Sequence, residues 1–300
     1  MAIKTLDEIL DAVRSKPKKR LVAVYANDAH TIEAVNHAYQ MGLIEATLVG
    51  DREVIEQIGK EHNIDVSKFE IVDEKTDVVA AAKSVELINQ GKGDILMKGT
   101  VSTDKYMRAI LNKEAGLVPP KGLISHVTVV ESPSYHKLLV VGDVAIVPHP
   151  DLKQKIAITN YLINTAHKLG IEQPKVALIA ATEQVTEAVP ATVDAAIIAK
   201  MADRGQIKGA IVDGPMALDL AVSKEAAEIK KFNSPVAGDA DCMLFPNIEA
   251  GNVFYKTNSK LAGGKAGAIV AGAKVPCILT SRGDSAQTKL YSIALAALLA

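Results

Sequence analysis

The chain has 300 residues, of which 48% are hydrophobic but only 4% aromatic and none Trp, so its core is built from small aliphatics, as suits parallel sheets covered by helices. Its 34 basic and 35 acidic side chains leave a formal net charge of -1, which excludes a general field for nucleic acid or anionic membrane and leaves any anion to local groups. The length accommodates two lobes without disulfides or metals.

The N-terminus opens on an amphipathic stretch with Leu6, Ile9, Leu10 and Val13, without an apolar h-region or cleavage signature. No apolar run approaches the roughly 20 residues of a membrane span, so the expected location is the cytoplasm. Arg14 to Arg20 reads as a solvated connection. Apolar runs of strand type then alternate with helical patterns. LVAVYA at 21 precedes a helix over 30–42, ATLVG at 46 precedes one over 76–90, and ILMKG at 95 precedes one over 102–112. VTVV at 127 and LLVVGDVAIVP at 138 follow. Asp151 then caps a helix whose Leu152, Ile156, Ile163 and Ala166 share a face before Gly170 ends it. VALIAA at 176, a helix over 191–204, AIVDG at 210, CMLFP at 242 and PCILTS at 276 complete the series. The alternation predicts an α/β fold. Cys242 and Cys277 sit in apolar runs without a CxxC or His partner, and are expected to be buried thiols rather than metal ligands.

Strand ends in such folds carry the ligand. Four are marked by Gly, Asp or Thr: Ala26-Asn27-Asp28, Met97-Lys98-Gly99-Thr100, Val212-Asp213-Gly214-Pro215 and Thr280-Ser281-Arg282-Gly283. The phosphate-loop pattern, the G-x-S-x-G elbow and H-E-x-x-H are absent, and Gly263 to Gly267 reads as a Lys-bearing turn. At Ser281-Arg282-Gly283-Asp284-Ser285 a strand gives way to a helix, so backbone N–H groups and the helix dipole favour an anion there. Arg282 adds a planar fork for two phosphate oxygens, and Gly283 admits a close approach. In this segment alone, an anion site and a merely capped surface helix with Asp284 or Ser285 as cap fit equally. Lys98, Gly99 and Thr100 with Arg108 on the following helix form a second candidate, with a solvated Arg108 as its alternative.

Longer blocks carry a resemblance. Val212-Asp213-Gly214-Pro215 with Leu218-Asp219, Ser234-Pro235-Val236-Ala237-Gly238 with Leu244-Phe245-Pro246, Glu249-Ala250-Gly251-Asn252 with Tyr255-Lys256, and Ser281-Arg282-Gly283 stand in the order and spacing of the phosphate acetyltransferase and phosphate butyryltransferase family. Gly93-Asp94, Lys98-Gly99 and Tyr106-Met107-Arg108 resemble the family's first-lobe substrate motif. Gly238-Asp239-Ala240-Asp241, Arg282-Gly283-Asp284-Ser285 and Lys289-Leu290-Tyr291-Ser292 are similar to the butyryl branch.

The resemblance implies a two-lobed, three-layer α/β/α fold with mostly parallel sheets, like isocitrate and isopropylmalate dehydrogenases, and an active-site cleft between the lobes. Residues 1–122 with 270–300 would form the first lobe and 123–269 the second. It implies reversible acyl transfer between coenzyme A and phosphate, with coenzyme A as substrate and neither cofactor nor metal, in a homo-oligomer. Arg282, Arg108, Lys98, Gly99, Thr100, Gly214 and Gly283 would bind substrate, and Ser281 would donate to the acyl oxyanion. The acetyl branch carries a thiol-deprotonating carboxylate where this chain has Thr288, leaving Asp284 as the nearest substitute; Asn247 stands where the family has Asp. Acetyl-CoA as the preferred substrate, a dehydrogenase of the same fold, and a non-catalytic anion-binding protein are the competing expectations.

Overall fold

The computed structural model describes residues 2–279 and 284–300. Along the chain run α1 (Leu6–Arg14), β1 (Lys19–Val24), α2 (Ala29–Gln40), β2 (Ile44–Gly50), α3 (Arg52–Glu61), β3 (Glu70–Asp73), α4 (Asp77–Asn89), β4 (Ile95–Lys98) and α5 (Thr103–Ile110). There follow β5 (Ser125–Glu131), β6 (Leu139–Gly142), α6 (Leu152–Lys168), β7 (Lys175–Ile179), α7 (Pro190–Asp203), β8 (Ile211–Met216), α8 (Leu218–Val222), α9 (Lys224–Ile229), β9 (Cys242–Leu244), α10 (Ile248–Lys260), β10 (Lys265–Ala271), β11 (Cys277–Ile278) and α11 (Ala286–Leu299). They divide into two compact units: Asp7–Ile124 with the described part of Gly267–Ala300, and Ser125–Ala266 with the N-terminal residues up to Leu6.

In the first unit the strand order is β3-β2-β1-β4-β11-β10. All neighbours are parallel except β10, which runs antiparallel to β11. Leu21 to Val24 of β1 and Ile95 to Met97 of β4 are wholly buried, because helices cover both faces of a parallel sheet. The β1–β2 and β3–β4 crossovers run in opposite directions across this order, so right-handed connections put α2 and α4 on opposite faces. Helix α5 packs on α4, and α11 packs beside α2. Asp28 starts α2 by accepting the Thr31 amide at 2.9 Å and its hydroxyl at 2.6 Å.

The last helix is buried from Lys289 to Leu298, and its Leu, Ile and Ala residues accordingly occupy every side of it there. Leu290, Ile293, Leu295 and Leu298 are each at most 4% exposed, and each burial contributes about 1.5–3 kcal/mol. A Cβ on Gly267 of β10 would lie 2.9 Å from the Tyr291 backbone, so only glycine allows this approach. The Tyr291 hydroxyl donates to Asp7 Oδ1 at 2.6 Å and fixes α11 to α1.

In the second unit the order is β5-β6-β9-β7-β8, with β5 and β6 antiparallel and the rest parallel. The Asp151 cap closes a reciprocal box with Gln154 at the head of α6. Gly170, at φ +84°, ends that helix with the Ile171 amide on the Ala166 carbonyl. At the amino ends of the strands, Asp239 accepts from Lys175 at 2.7 Å and pairs with Lys137 at 2.9 Å, while Asp241 pairs with Lys137 at 2.7 Å. Burial alone would raise the Asp239 pKa, but hydrogen bonds from Lys175, Lys137 and His136 outweigh it and hold the carboxyl well below the usual range.

Three local expectations are corrected. LLVVGDVAIVP is not one strand. It stops at Gly142, because the buried Asp143 carboxylate accepts Ser125 Oγ and the amides of His126, Ala145 and Ile146, all within 2.9 Å, and turns the chain. Gly263 to Gly267 is not wholly a turn, since β10 begins at Lys265. Val212-Asp213-Gly214-Pro215 lies inside β8 and not at its end. The register moves there from Ala177 opposite Asp213 to Ile179 opposite Met216, so Leu178 alone faces Gly214 and Pro215 in a bulge.

Candidate functional site

In the first unit the carboxyl ends of β1, β4 and β11 lie side by side. The strand order reverses between β1, which connects outward to β2, and β4 on its other flank. Such a reversal opens a ligand crevice beyond the strand ends. Lys98-Gly99-Thr100 stands on this edge. The Gly99 amide donates to the Val24 carbonyl at 2.9 Å, and the Thr100 amide and hydroxyl both donate to the Tyr25 carbonyl, at 3.0 and 2.8 Å. A Cβ on Gly99 would meet the Val24 and Tyr25 carbonyl oxygens at 2.6 Å each. Glycine is therefore dictated by space. Lys98 is half-buried, with its ammonium 3.1 Å from the Gly99 carbonyl, and Thr100 is exposed.

Two contributors to this edge escape the sequence reading. Tyr25 holds φ at +53°, a sparsely populated conformation for a residue with a side chain. That backbone presents its carbonyl to Thr100. Tyr106, quoted above only as motif context, is fully buried, and its hydroxyl lies 3.1 Å from the Leu96 carbonyl and 3.2 Å from that of Ile278. It bridges β4 and β11 from beneath. Burial raises its pKa well above the ordinary tyrosine value and pushes the Cys277 thiol up to about 12, so neither ionises at neutral pH.

Arg108 is on α5, whose N-cap Ser102 accepts the Lys105 amide. Its side chain is 79% exposed and pairs with Asp104 at 3.1 Å, so here it is a solvated helix residue. Asn27 and Asp28 serve the backbone: Asn27 Oδ1 accepts the Asp51 amide at 3.0 Å, and Asp28 caps α2. Gly214 belongs to the second unit, where a Cβ would lie 2.7 Å from the Leu178 carbonyl oxygen.

Ser281, Arg282 and Gly283 lie outside the described residues. The chain enters them from β11, whose Ile278 is level with Met97 of β4, and leaves through the half-buried Asp284. Of the two candidate caps, Ser285 is the one used: its Oγ accepts the Thr288 amide at 3.1 Å and lies 3.0 Å from the Thr288 hydroxyl. Thr288, at the acetyl branch's carboxylate position, is thus a capping partner. Asn247 likewise caps α10 by accepting the Ala250 amide at 3.0 Å. Among the described residues, no three His, Cys, Asp or Glu side chains gather as metal ligands, and no helix is long and apolar enough to cross a membrane.

The model of the family described as "Phosphate acetyl/butaryl transferase" matches residues 4–82 and 78–297. The chain is 48% identical over 298 residues to a phosphate butyryltransferase of Clostridium acetobutylicum, covering 99% of both chains. It is 42% identical over 295 residues to a phosphate acetyltransferase of Thermotoga maritima, covering 98% of this chain and 99% of that one. The crystal structure of a branched-chain phosphotransacylase from Enterococcus faecalis V583 superposes with a TM-score of 0.82 at 28% identity, covering 94% of this chain and 98% of that one. A mostly parallel α/β architecture, a Gly99 edge closed by backbone contacts, and full-length identity above two fifths converge on one assignment. The chain belongs to the phosphate acetyl- and butyryltransferase family of acyltransferases.

Proposed function

We propose that this protein reversibly transfers a short acyl group, butyryl or branched-chain by preference, between coenzyme A and inorganic phosphate. The observation that carries the reading is positional. The Ser281-Arg282-Gly283 motif joins β11, in register with β4 and its Lys98-Gly99-Thr100 end, to the capped N-terminus of α11. Strand ends and a helix N-terminus together favour an anion.

In the reaction a phosphate oxygen attacks the thioester carbonyl carbon, an oxyanion develops on the carbonyl oxygen, and the carbon–sulfur bond breaks as the new carbon–oxygen bond forms. The products are acyl phosphate and a thiolate that takes up a proton. No covalent enzyme intermediate is needed. Arg282 binds the phosphate, with Gly283 allowing its approach, and Ser281 donates to the oxyanion; losing one such donor costs about 2.7–4 kcal/mol in other enzymes. Lys98, Gly99 and Thr100 contribute the neighbouring β4 end, and Arg108 is a further substrate contact that would have to leave Asp104 to reach substrate. Asp284 is the carboxylate adjoining the motif and the candidate base. With thiol pKa near 8.5, deprotonation at pH 7 costs only about 2 kcal/mol, so a strong base is dispensable.

Each added CH₂ in a pocket contributes about 0.8 kcal/mol, so two separate butyryl from acetyl by roughly tenfold. The same reading carries a cytoplasmic homo-oligomer. The test is phosphate-dependent thiol release from a panel of straight and branched acyl-CoA esters, with Arg282→Ala alongside. Release that vanishes in Arg282→Ala supports the reading, a clear preference for acetyl-CoA reassigns the branch, and no release from any ester defeats it.

A further inference from the structure

Lys289 is the fourth residue of α11 and is 8% exposed. Lysines are almost never this buried unless paired, and Lys155, comparably buried at 7%, is held by Asp194 at 2.7 Å. The Lys289 side chain has no hydrogen-bond or ion-pair partner among the described residues. Among those residues Asn258 Nδ2 is the one wholly enclosed side-chain nitrogen or oxygen without a partner. The Lys289 ammonium therefore reaches an opening at the surface on a packed stem.

The sheet register locates that opening. Val270 of β10 is opposite Cys277 of β11, so Ala268, two residues back, is level with Leu279, two residues on. Ile278 is level with Met97 of β4, which makes Leu279 level with Lys98. The Ala268 amide donates to Ser292 Oγ at 3.0 Å and brings Ser292 to the same height. Lys19, first residue of β1, donates to the Ala300 carbonyl at 3.1 Å, so α11 runs antiparallel to β1 with its N-terminus at the carboxyl ends. Lys289 precedes Ser292 by three residues, about 4.5 Å further outward, and helical side chains lean toward the N-terminus. Lys289 therefore lies toward the carboxyl ends of the strands, on the β10 side of the sheet.

We propose that Lys289 is a substrate-binding residue whose ammonium takes a phosphate oxyanion, carried either by inorganic phosphate or by the phosphates of coenzyme A. The proposal rests on the acyl-transfer reading for the identity of the ligand. A cation held by a packed stem, accessible at its tip and given no carboxylate by the described residues is matched by an anion that arrives with substrate.

The experiment compares wild type, Lys289→Met and Lys289→Arg in two assays. The first is melting in phosphate, in coenzyme A and in chloride at equal ionic strength, which needs no turnover. The second is steady-state kinetics with each substrate varied. Lys289→Met is expected to melt in chloride no lower than wild type, to lose the stabilisation by one of the two ligands, and to raise the KM of that ligand about tenfold or more. Lys289→Arg recovers part of both effects. A rise confined to phosphate assigns the oxyanion to inorganic phosphate, and one confined to acyl-CoA assigns it to the coenzyme. Unchanged ligand shifts and KM values overturn the proposal, as does a methionine variant that fails to fold or melts well below wild type in chloride. A wild type stabilised by phosphate but without turnover defeats the acyl-transfer reading and leaves the melting comparison to judge Lys289.

Discussion

Gly99→Ala is the sharpest probe of the β4 edge. The added methyl would sit 2.6 Å from two carbonyl oxygens, those of Val24 and Tyr25. Neither can swing away freely, because the first accepts the Gly99 amide at 2.9 Å and the second accepts both Thr100 donors. Overpacking costs about 1–3 kcal/mol. Lengthening one of these hydrogen bonds adds about 0.5–1.5 kcal/mol. The expected total is about 2–4 kcal/mol, a fall in melting temperature of about 4–16 °C at 2–4 °C per kcal/mol for a unit of this size. Activity should fall further than stability, since displacing a substrate-positioning group by about 1 Å costs on the order of a hundredfold. Gly42→Ala is the control: its φ is +77° but nothing lies within 4 Å of a Cβ, so it should cost about 1–2 kcal/mol in conformation alone and spare kcat/KM. Melting curves and kinetics on both variants decide the matter. A Gly99→Ala enzyme with wild-type melting and rate would refute the steric argument and the placement of this edge at the site.

Asp143→Ala strands the Ser125 hydroxyl and three backbone amides in the interior; urea titration should show a loss of about 3 kcal/mol or more. Asp239, whose pKa is depressed in the fold, stabilises fully above its ordinary value of 3.8 and loses that contribution as pH falls through its lower folded value. Melting across pH 7 to 2 should therefore show the advantage of wild type over Asp239→Asn constant above about pH 5 and shrinking below about pH 4. Asp284→Asn distinguishes the candidate base from a bystander: in the direction that consumes coenzyme A, a bystander leaves a rate that climbs with pH toward the thiol pKa of about 8.5 in both enzymes.

The α/β alternation was legible because parallel strands covered on both faces are continuous apolar runs, as in LVAV of β1 and ILM of β4. Helix bounds followed from local chemistry at Asp151, whose side chain caps the helix it precedes, whereas Asp28, expected at a ligand-bearing strand end, caps α2 instead. What stayed hidden depends on partners distant in sequence. The edge strand β3, Glu70–Asp73, is half polar and is recognisable only beside β2. Strand β10 is masked by glycines, one of which is set by contact with Tyr291 of α11. At the candidate site Gly99 was visible as a strand-end glycine, but the reason for it, two carbonyls of β1, was not. Tyr25 and Tyr106 carried no signal, because a left-handed backbone and a buried hydroxyl shared by two strands leave no local pattern. The exposure of Arg108 and its pairing with Asp104 were foreseeable from their i, i+4 spacing.

The most direct test of acyl transfer is to follow butyryl-CoA and inorganic phosphate by phosphorus NMR while free thiol is counted. The account predicts one new acyl phosphate resonance growing mole for mole with thiol, and its reversal when acyl phosphate and coenzyme A are supplied instead. Thiol release without acyl phosphate, which would be hydrolysis, or no consumption of either substrate would contradict it.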